Sequence, residues 1–268
     1  MLSNASRILT YANAVLYAVL GAFLFSIPEQ LASVFAWKVS AFVTMTIGGW
    51  CLGNAWLAFF AARRWKWSLV QPSLIYLWFF GIGETLVVIL FRDKLNLVHP
   101  IAWLYLTALF ANVLAAVIGL LDLIRLKPNI ESATEPVGSI FVVGLIFFVV
   151  FVGFLGYYGS AAQIGDIGTN GGIFPEVMSL FTLRSFGAFY LSLALSAVPL
   201  FWNRNRQTFL SHGFVSYGLI IFITAAAFVH IGLFDFSARP GGLAYFGAYL
   251  AVGIFFLINF FIYGTGKE

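Results

Sequence analysis

The sequence predicts an all-α polytopic membrane protein with eight transmembrane helices, arranged as two parallel four-helix repeats with both termini in the cytoplasm. Composition is the first reason, because 62% of the 268 residues are hydrophobic and only 9% are charged. Soluble domains carry roughly 25% charged residues, so a soluble globular domain is excluded. The other two reasons are eight apolar segments of spanning length and an order of features that recurs in both halves of the chain.

Each apolar segment has the roughly 20 residues needed to cross about 30 Å of hydrocarbon. The alternation typical of membrane strands is absent, so a β-barrel is excluded. The first segment follows Arg7, as in a signal peptide, but its length and its lack of a small-residue cleavage site indicate a retained span. The predicted spans are, in order, Ile8–Ile27, Val39–Ala62, Leu69–Phe91, Pro100–Leu123, Val137–Tyr158, Met178–Trp202, Phe214–Phe236 and Gly241–Tyr263.

The residues that flank the spans are typical of membrane boundaries. The second span ends before Arg63 and Arg64, and the sixth ends before Arg204. Tryptophan side chains near span ends favour the membrane–water interface because one end of the ring system is polar. We therefore expect five tryptophans to be interface anchors: Trp37, Trp65, Trp67, Trp103 and Trp202.

The distribution of basic residues predicts the orientation of the chain. With eight spans both termini lie on one side, and that side collects nine of the 14 Lys and Arg residues, which leaves five (14 − 9) on the other. The positive-inside rule therefore places both termini in the cytoplasm, in a bacterial or archaeal cytoplasmic membrane. The bases are scattered and form no run, so nucleic acid is excluded as a partner.

An ordered set of features recurs at an offset of roughly 140 residues. The second and sixth spans each place a Thr five residues before a Gly, and the fourth and eighth each begin with Pro, followed by Tyr and then Ala. Four spans is an even number, so the second repeat enters the membrane from the same side and the repeats are parallel. The predicted units are a first repeat at 1–127, a linker at 128–136 and a second repeat at 137–268. The matched residues are Thr44 and Gly49 with Thr182 and Gly187, and Pro100, Tyr105 and Ala108 with Pro240, Tyr245 and Ala248.

Two ionisable residues inside predicted spans are the first candidates for a functional site. Glu84 lies in the third span, and His230 is predicted at a comparable depth of the seventh, so pseudo-symmetry would relate their positions. Ionisable groups in a membrane are costly and often functional. The pair could carry a proton, and His230 could bind a metal, a haem or a pigment. The structural alternatives, a protonated or paired carboxyl and a hydrogen-bonded histidine, are favoured.

Arg184 completes the candidate intramembrane polar site, near the start of the sixth span. It could capture an anion, extend to the interface, or pair with Asp166, Glu176 or Glu84. Three asparagines are instead expected to bridge helices through hydrogen bonds: Asn54, Asn112 and Asn259.

No cofactor can be identified from the sequence. The single cysteine, Cys51, can form neither an intrachain disulfide nor a multi-cysteine metal site. No catalytic triad, zinc-binding motif or phosphate-binding loop is present, and no Lys lies within a span to hold retinal. We therefore assign no catalytic and no metal-binding residues.

Three functions of different classes agree with these observations. The favoured one is a non-enzymatic accessory or scaffold subunit of a larger membrane complex, in contact with lipid, quinone or pigment, because polar residues in the spans are few. The alternative is a small-solute or proton-coupled transporter that uses Glu84, His230 and Arg184. The third is a membrane-embedded enzyme acting on a lipid or isoprenoid. The bilayer is the expected partner, together with other membrane subunits or a second copy of the chain.

Overall fold

The computed structural model of the protein describes residues 1–129, 136–163 and 173–263. Within these ranges the chain forms nine α-helices and no β-strand, and eight of the helices are long and apolar enough to span a membrane. The predicted all-α multi-pass architecture is therefore confirmed. The helices are α1 (Asn4–Ser26), α2 (Pro28–Ala32), α3 (Ala41–Arg64), α4 (Trp67–Leu90), α5 (Pro100–Leu126), α6 (Ser139–Ala161), α7 (Leu180–Ala197), α8 (Arg206–Val229) and α9 (Gly241–Tyr263).

Serine side chains define where three of the spanning helices begin. Ser3, Ser40 and Ser179 precede α1, α3 and α7, and each hydroxyl accepts a hydrogen bond from the backbone N–H three residues later. This bond satisfies one of the N–H groups that the first turn of a helix leaves without a partner. The three helix starts are therefore fixed by local chemistry as well as by hydropathy.

The bundle is organised around two helices of the first half of the chain. Helix α3 packs against α1 and α8, and α4 packs against α7 and α5. In addition, α1 packs against α5, α6 against α7, and α8 against α9. The second half of the bundle is therefore attached to the first through α7 and α8, while α6 and α9 lie at the periphery.

Two glycines allow the closest helix pairs to form. A Cβ atom on Gly48 of α3 would lie 2.6 Å from the backbone nitrogen of Phe25 in α1. A Cβ atom on Gly187 of α7 would lie 2.5 Å from the backbone nitrogen of Ser160 in α6. Since no larger side chain fits at these distances, the backbones of each pair touch directly, which is the usual role of small residues between membrane helices.

Two of the four helix pairs that correspond in chain order have matching lengths. Both α1 and α6 have 23 residues and both α4 and α8 have 24, whereas α3 and α7 have 24 and 18, and α5 and α9 have 27 and 23. Helix α8 begins 139 residues after α4 (206 − 67), and the short 3-10 helices that follow them, Arg92–Lys94 and Ile231–Leu233, are separated by the same 139 residues (231 − 92).

The seventh span differs most from the prediction. It was expected at Phe214–Phe236, whereas α8 runs from Arg206 to Val229. The helix begins earlier because Asn205 caps its polar first turn, with the side-chain oxygen accepting a hydrogen bond of 2.9 Å from the N–H of Gln207. Hydropathy alone could not locate this start, since the first turn is polar.

Three of the five tryptophans expected to be interface anchors are instead buried. Trp37, Trp65 and Trp67 belong to the core, whereas Trp103 and Trp202 are exposed. The connecting segments fold back onto the helices, so a tryptophan near a span end is not necessarily at the surface. The linker predicted at 128–136 and the loop that carries Asp166 lie partly outside the described residues, at 130–135 and 164–172.

Candidate functional site

Glu84 points into the bundle, where its carboxyl group bridges three helices. The side chain is 2% exposed, and its Oε1 accepts a hydrogen bond of 2.7 Å from the hydroxyl of Tyr105 in α5. The hydroxyl of Ser185 in α7 is the other polar group beside this carboxyl. A carboxyl facing lipid without partners would be costly even when protonated, and this one is shielded on all sides by protein.

One oxygen of this carboxyl lacks a formed hydrogen bond. Within the described part of the chain, Oε2 of Glu84 and Oγ of Ser185 are both buried and have no hydrogen-bond partner. A proton on Oε2 would give the carboxyl a donor beside the Ser185 hydroxyl, because a protonated carboxyl has one O–H group in addition to its acceptor capacity. The geometry therefore suits a neutral carboxyl held between Tyr105 and Ser185.

Aromatic side chains pack around the Tyr105 side of the Glu84–Tyr105 pair. The ring of Tyr105 contacts Trp37 with centroids 5.4 Å apart, and Trp37 stacks on Phe181 at 4.2 Å. The indole nitrogen of Trp37 also donates a hydrogen bond of 3.1 Å to the hydroxyl of Thr182. This packed layer leaves Glu84 embedded in protein rather than beside an open path.

His230 does not lie at the depth of Glu84. It follows the last residue of α8 as its C-cap, and its ring contacts Phe42 of α3 with centroids 5.8 Å apart. Glu84 is the eighteenth residue of α4 (84 − 67 = 17 steps from its start), and the eighteenth residue of α8 is Ile223. The expected pseudo-symmetric relation between Glu84 and His230 is therefore wrong, because the span that ends at His230 was placed too late in the sequence.

Arg184 is turned away from Glu84. Its guanidinium donates a hydrogen bond of 2.9 Å to the backbone carbonyl of Ala162, beyond the end of α6. Of the partners expected for it, Glu176 bonds to Ser40, and Asp166 lies outside the described residues. Among the hydrogen bonds and ion pairs of the described residues, none joins Glu84, His230 and Arg184 to one another.

Two asparagines connect helices of the first half. Asn54 of α3 accepts a hydrogen bond of 2.8 Å from the hydroxyl of Tyr76 in α4. Asn112 of α5 donates to the hydroxyl of Tyr17 in α1 at 2.8 Å and to the carbonyl of Leu77 in α4 at 3.0 Å. Hydrogen bonds of buried polar side chains thus connect the four long helices of the first half inside a mainly hydrophobic core. The side chain of Asn259 lies outside what the structure describes.

A cavity of about 470 Å³ occupies the interior of the second half, between α6, α7, α8 and α9. The described residues that form its wall are almost entirely hydrophobic and include no Asp, Glu, Lys or Arg. Aromatic rings come from every one of the four helices, among them Phe148, Phe151, Phe189, Phe209, Phe255 and Phe256. Its size and lining are those of a site for a small apolar molecule.

Small residues on α9 make room for this cavity. Ala244, Gly247, Ala248 and Ala251 follow the spacing of one helix face and line the cavity together. A Cβ atom on Gly247 would meet no heavy atom within 4 Å. Around Gly247 the space between α6 and α9 is therefore left open, while nearer the start of α6 the ring of Phe255 packs against Phe141, with centroids 5.7 Å apart.

A few polar groups interrupt the apolar wall. The hydroxyls of Tyr190 and Tyr249 lie 3.0 Å apart, and Nδ1 of His212 shares a hydrogen bond of 3.1 Å with Ser73 of α4. Ser216, one turn after His212, also lines the cavity. These groups are positioned by rigid helices and are the ones able to orient a bound molecule.

This cavity is not apparent in the sequence. His212 lies outside the predicted seventh span at Phe214–Phe236, and only the earlier start of α8 puts it in the second turn of the helix, where it is buried. The small residues of the eighth span, spaced on one helix face, are a signal that was present in the sequence. The absence of a partner helix on that face is a tertiary property that the sequence does not display.

The comparisons with known proteins add no assignment: no protein-family model matches the chain, and no match was found among curated proteins or among solved structures. The described residues also contain no group of three or more His, Cys, Asp and Glu side chains that could hold a metal ion.

Proposed function

We propose that the protein is a non-enzymatic integral membrane protein that serves as an accessory subunit of a membrane complex and holds an apolar, membrane-soluble molecule in its second half. The observation that carries this proposal is the cavity of about 470 Å³ between α6, α7, α8 and α9. Its hydrophobic lining, which holds no charged residue among those described, would exclude ions and water-soluble solutes, because a charged group there would find no partner.

The peripheral helices support a role within a larger assembly. Only 12% of the residues in the apolar stretch of α9 are buried, compared with 78% of the residues in the corresponding stretch of α3. Such exposed apolar faces can contact lipid, a second copy of the chain or another membrane subunit. We place both termini in the cytoplasm of a bacterial or archaeal cell on the strength of the nine-to-five division of basic residues.

We also infer that the bundle arose by duplication, with a first unit at 1–127 and a second at 137–268. Helix contacts repeat at one offset: Gly83 of α4 faces Ala188 of α7, and Gly49 of α3 faces Phe222 of α8. Phe222 lies 139 residues after Gly83 (222 − 83), and Ala188 lies 139 residues after Gly49 (188 − 49). The second contact is therefore the first one with the roles of the two halves exchanged. A two-fold axis along the membrane normal would produce this exchange.

A proton-coupled transporter remains the second candidate, and Glu84 is the observation that favours it. The carboxyl is interior and has one oxygen without a hydrogen bond among the described residues. However, Glu84 is not among the residues that line the cavity. The enzyme hypothesis is weaker still, since it needs Glu84 and His230 to act on one substrate while their contacts lie with different side chains.

Purification from native membranes in a mild detergent tests the main proposal. We expect organic extraction of the purified protein, followed by mass spectrometry, to recover an apolar molecule in a fixed ratio to the chain, and we expect size measurements to detect a complex larger than the 29.6 kDa chain. A protein that retains no such molecule and yields a monomer would overturn the proposal.

A further inference from the structure

We propose that the molecule held in the cavity is a neutral, oxygen-bearing ring compound with a hydrocarbon chain, the chemistry of an isoprenoid quinone. This inference rests on the proposed ligand-holding function and adds the class of ligand. The ring would lie among the phenylalanines with a carbonyl oxygen at the Tyr190–Tyr249 pair, and the chain would leave between α6 and α9.

The tyrosine pair in the cavity wall has one hydroxyl hydrogen more than it has acceptors in the described part of the chain. Tyr190 is 3% exposed and Tyr249 is 9% exposed, and their hydroxyl oxygens are 3.0 Å apart. Two phenols carry two O–H hydrogens, but only one of these can lie between the two oxygens. The second hydrogen has no acceptor among the described residues, and a buried donor without an acceptor is costly. A carbonyl oxygen of a ligand would satisfy it.

His212 and Ser216 provide a second polar contact on the same wall. Nδ1 of His212 is engaged with Ser73, and among the described hydrogen bonds none involves its Nε2 or the hydroxyl of Ser216. Nδ1 and Nε2 of a neutral imidazole have opposite roles, so whichever tautomer Ser73 selects leaves Nε2 able to donate or accept. A quinone offers carbonyl oxygens on opposite edges of its ring and can use donors in two directions.

The lining of the cavity selects a neutral ligand with a flat ring. The lining residues that the structure describes include no Lys or Arg to pair with a phosphate or a fatty-acid carboxylate, and an unpaired anion in such a place is strongly disfavoured. Aromatic rings such as Phe151 and Phe189 favour offset stacking or edge contacts with another flat ring. Oxygen-free hydrocarbons would fill the space but leave the phenolic hydrogen without an acceptor.

The opening between α6 and α9 gives the hydrocarbon chain a route to the bilayer. Phe147 of α6 lines the cavity and is nevertheless 69% exposed, and Gly247 and Ala251 of α9 line it from the other side and are also exposed. The cavity is therefore continuous with the lipid-facing surface. A ligand with a long chain needs no internal volume for that chain.

The proposal is tested by titrating delipidated protein with decylubiquinone and with a naphthoquinone of similar chain length, next to palmitate and squalene. Binding is read from the rise of Tm with ligand concentration and from quenching of tryptophan fluorescence. We expect both quinones to raise Tm, and we expect Tyr249→Phe to weaken quinone binding about five- to tenfold through loss of a hydrogen bond. Tyr217→Phe is the matched control, because the Tyr217 hydroxyl bonds to the carbonyl of Gly253 and does not line the cavity.

Filling the cavity locates the binding site. Gly247→Leu is expected to abolish quinone binding while leaving the fold intact, since the new side chain enters open space and Leu favours a helix more than Gly does. Ala251→Phe is a second variant with the same expected result. Unchanged quinone binding in both would overturn the site.

The outcomes separate the two proposals. Equal binding of squalene and the quinones, without an effect of Tyr249→Phe, would overturn the quinone class but leave the ligand-holding function. Preferential binding of palmitate would overturn the requirement for a neutral ligand. A protein that binds none of the four probes and retains no extractable molecule would overturn both proposals.

Discussion

Trp50 of α3 stacks face to face on Phe189 of α7, with ring centroids 4.7 Å apart and an angle of 7° between the ring planes. Each residue lies ten positions after the serine that caps its helix (50 − 40 and 189 − 179). Ser73 and His212 are a second pair at matched positions, each six residues after the start of its helix (73 − 67 and 212 − 206). In the two-fold arrangement that we propose, residues at equivalent positions touch each other only near the axis, so these two pairs would mark its place between the halves of the bundle.

Truncation of the stacked pair is expected to destabilise the bundle strongly. Trp50→Ala and Phe189→Ala should each cost about 3 kcal/mol of unfolding free energy, the low end of the range for large aromatic residues in a core, because lipid rather than water surrounds the bundle. Unfolding in mixed detergent micelles measures this cost, and Trp202→Ala, at a residue that is 79% exposed, is the control. A loss no larger than that of the control would contradict the axial role of the pair.

Glu84→Gln is expected to preserve both the fold and the proposed function. The amide retains an oxygen that can accept the hydrogen bond of 2.7 Å from Tyr105, so Tm should change little. Glu84→Leu should cost about 1–3 kcal/mol, because the Tyr105 hydroxyl loses its acceptor. Proton flux measured in proteoliposomes separates the candidate functions: flux in the native protein that disappears in Glu84→Gln would establish the transporter hypothesis instead.

Branched side chains at the closest helix contacts should disrupt them. Gly48→Val places its Cβ 2.6 Å from a backbone nitrogen of α1, and neither backbone can move without breaking helix hydrogen bonds. We expect a loss of about 3 kcal/mol, the upper part of the usual range for overpacking, and the same for Gly187→Val. Gly232→Ala, where a Cβ would meet nothing within 4 Å, should have a thermal unfolding curve close to that of the native protein.

Asp122 should hold the N-terminus of α1 in place. Its Oδ2 accepts hydrogen bonds from the N–H of Ser3 at 2.9 Å, the hydroxyl of Ser3 at 2.5 Å and the hydroxyl of Ser6 at 2.5 Å. Asp122→Ala leaves these donors without their acceptor, so we expect a loss of about 1–3 kcal/mol and faster proteolysis near the N-terminus. Asp93→Ala, at a side chain that is 91% exposed, serves as the comparison, and equal proteolysis of the two variants would refute the prediction.

The turn before α9 should loosen in acid. Hydrogen bonds from the Ser237 hydroxyl and from the N–H of Ala238 and of Ser237 hold the pKa of Asp235 below its usual value. A carboxyl whose pKa is lowered by folding stabilises the folded state above its usual pKa, and that contribution is lost as the pH falls through the lowered value. Amide hydrogen exchange of Ser237 and Ala238 should therefore lose protection in this window. In Asp235→Asn the protection should not depend on pH, and a pH-dependent loss there would contradict this assignment.

The fold was largely predictable from the sequence because hydrocarbon thickness sets the length of every span. Span ends were harder to predict where polar residues begin a helix, as at Arg206, since the cap at Asn205 and not hydropathy decides the start. The proposed duplication was first inferred from Thr44 and Thr182, yet the caps of α3 and α7 align Thr182 with the residue before Thr44 (182 − 139 = 43). Thr and Gly are small residues that are common in apolar segments, so matching them does not align two segments to within one residue.

The candidate site was predictable only in part. The burial of Glu84 follows from the cost of a carboxyl in hydrocarbon, but its hydrogen-bond partner Tyr105 and its neighbour Ser185 come from two other helices. The cavity depends on the distance between α6 and α9. That distance is determined by how all the helices of the bundle pack, and not by any one segment of the sequence. Nothing in the sequence indicates that the side chains of Tyr190 and Tyr249 pair with each other.

The gap between α6 and α9 has a consequence for how the cavity is occupied. A lipophilic molecule partitions into the bilayer, so its concentration beside the gap greatly exceeds its concentration in the surrounding water. Entry through Phe147 and Gly247 draws on that enriched pool by lateral diffusion and requires no aqueous passage. Even a modest intrinsic affinity would then keep the cavity occupied, and occupancy would follow the composition of the membrane rather than that of the cytoplasm.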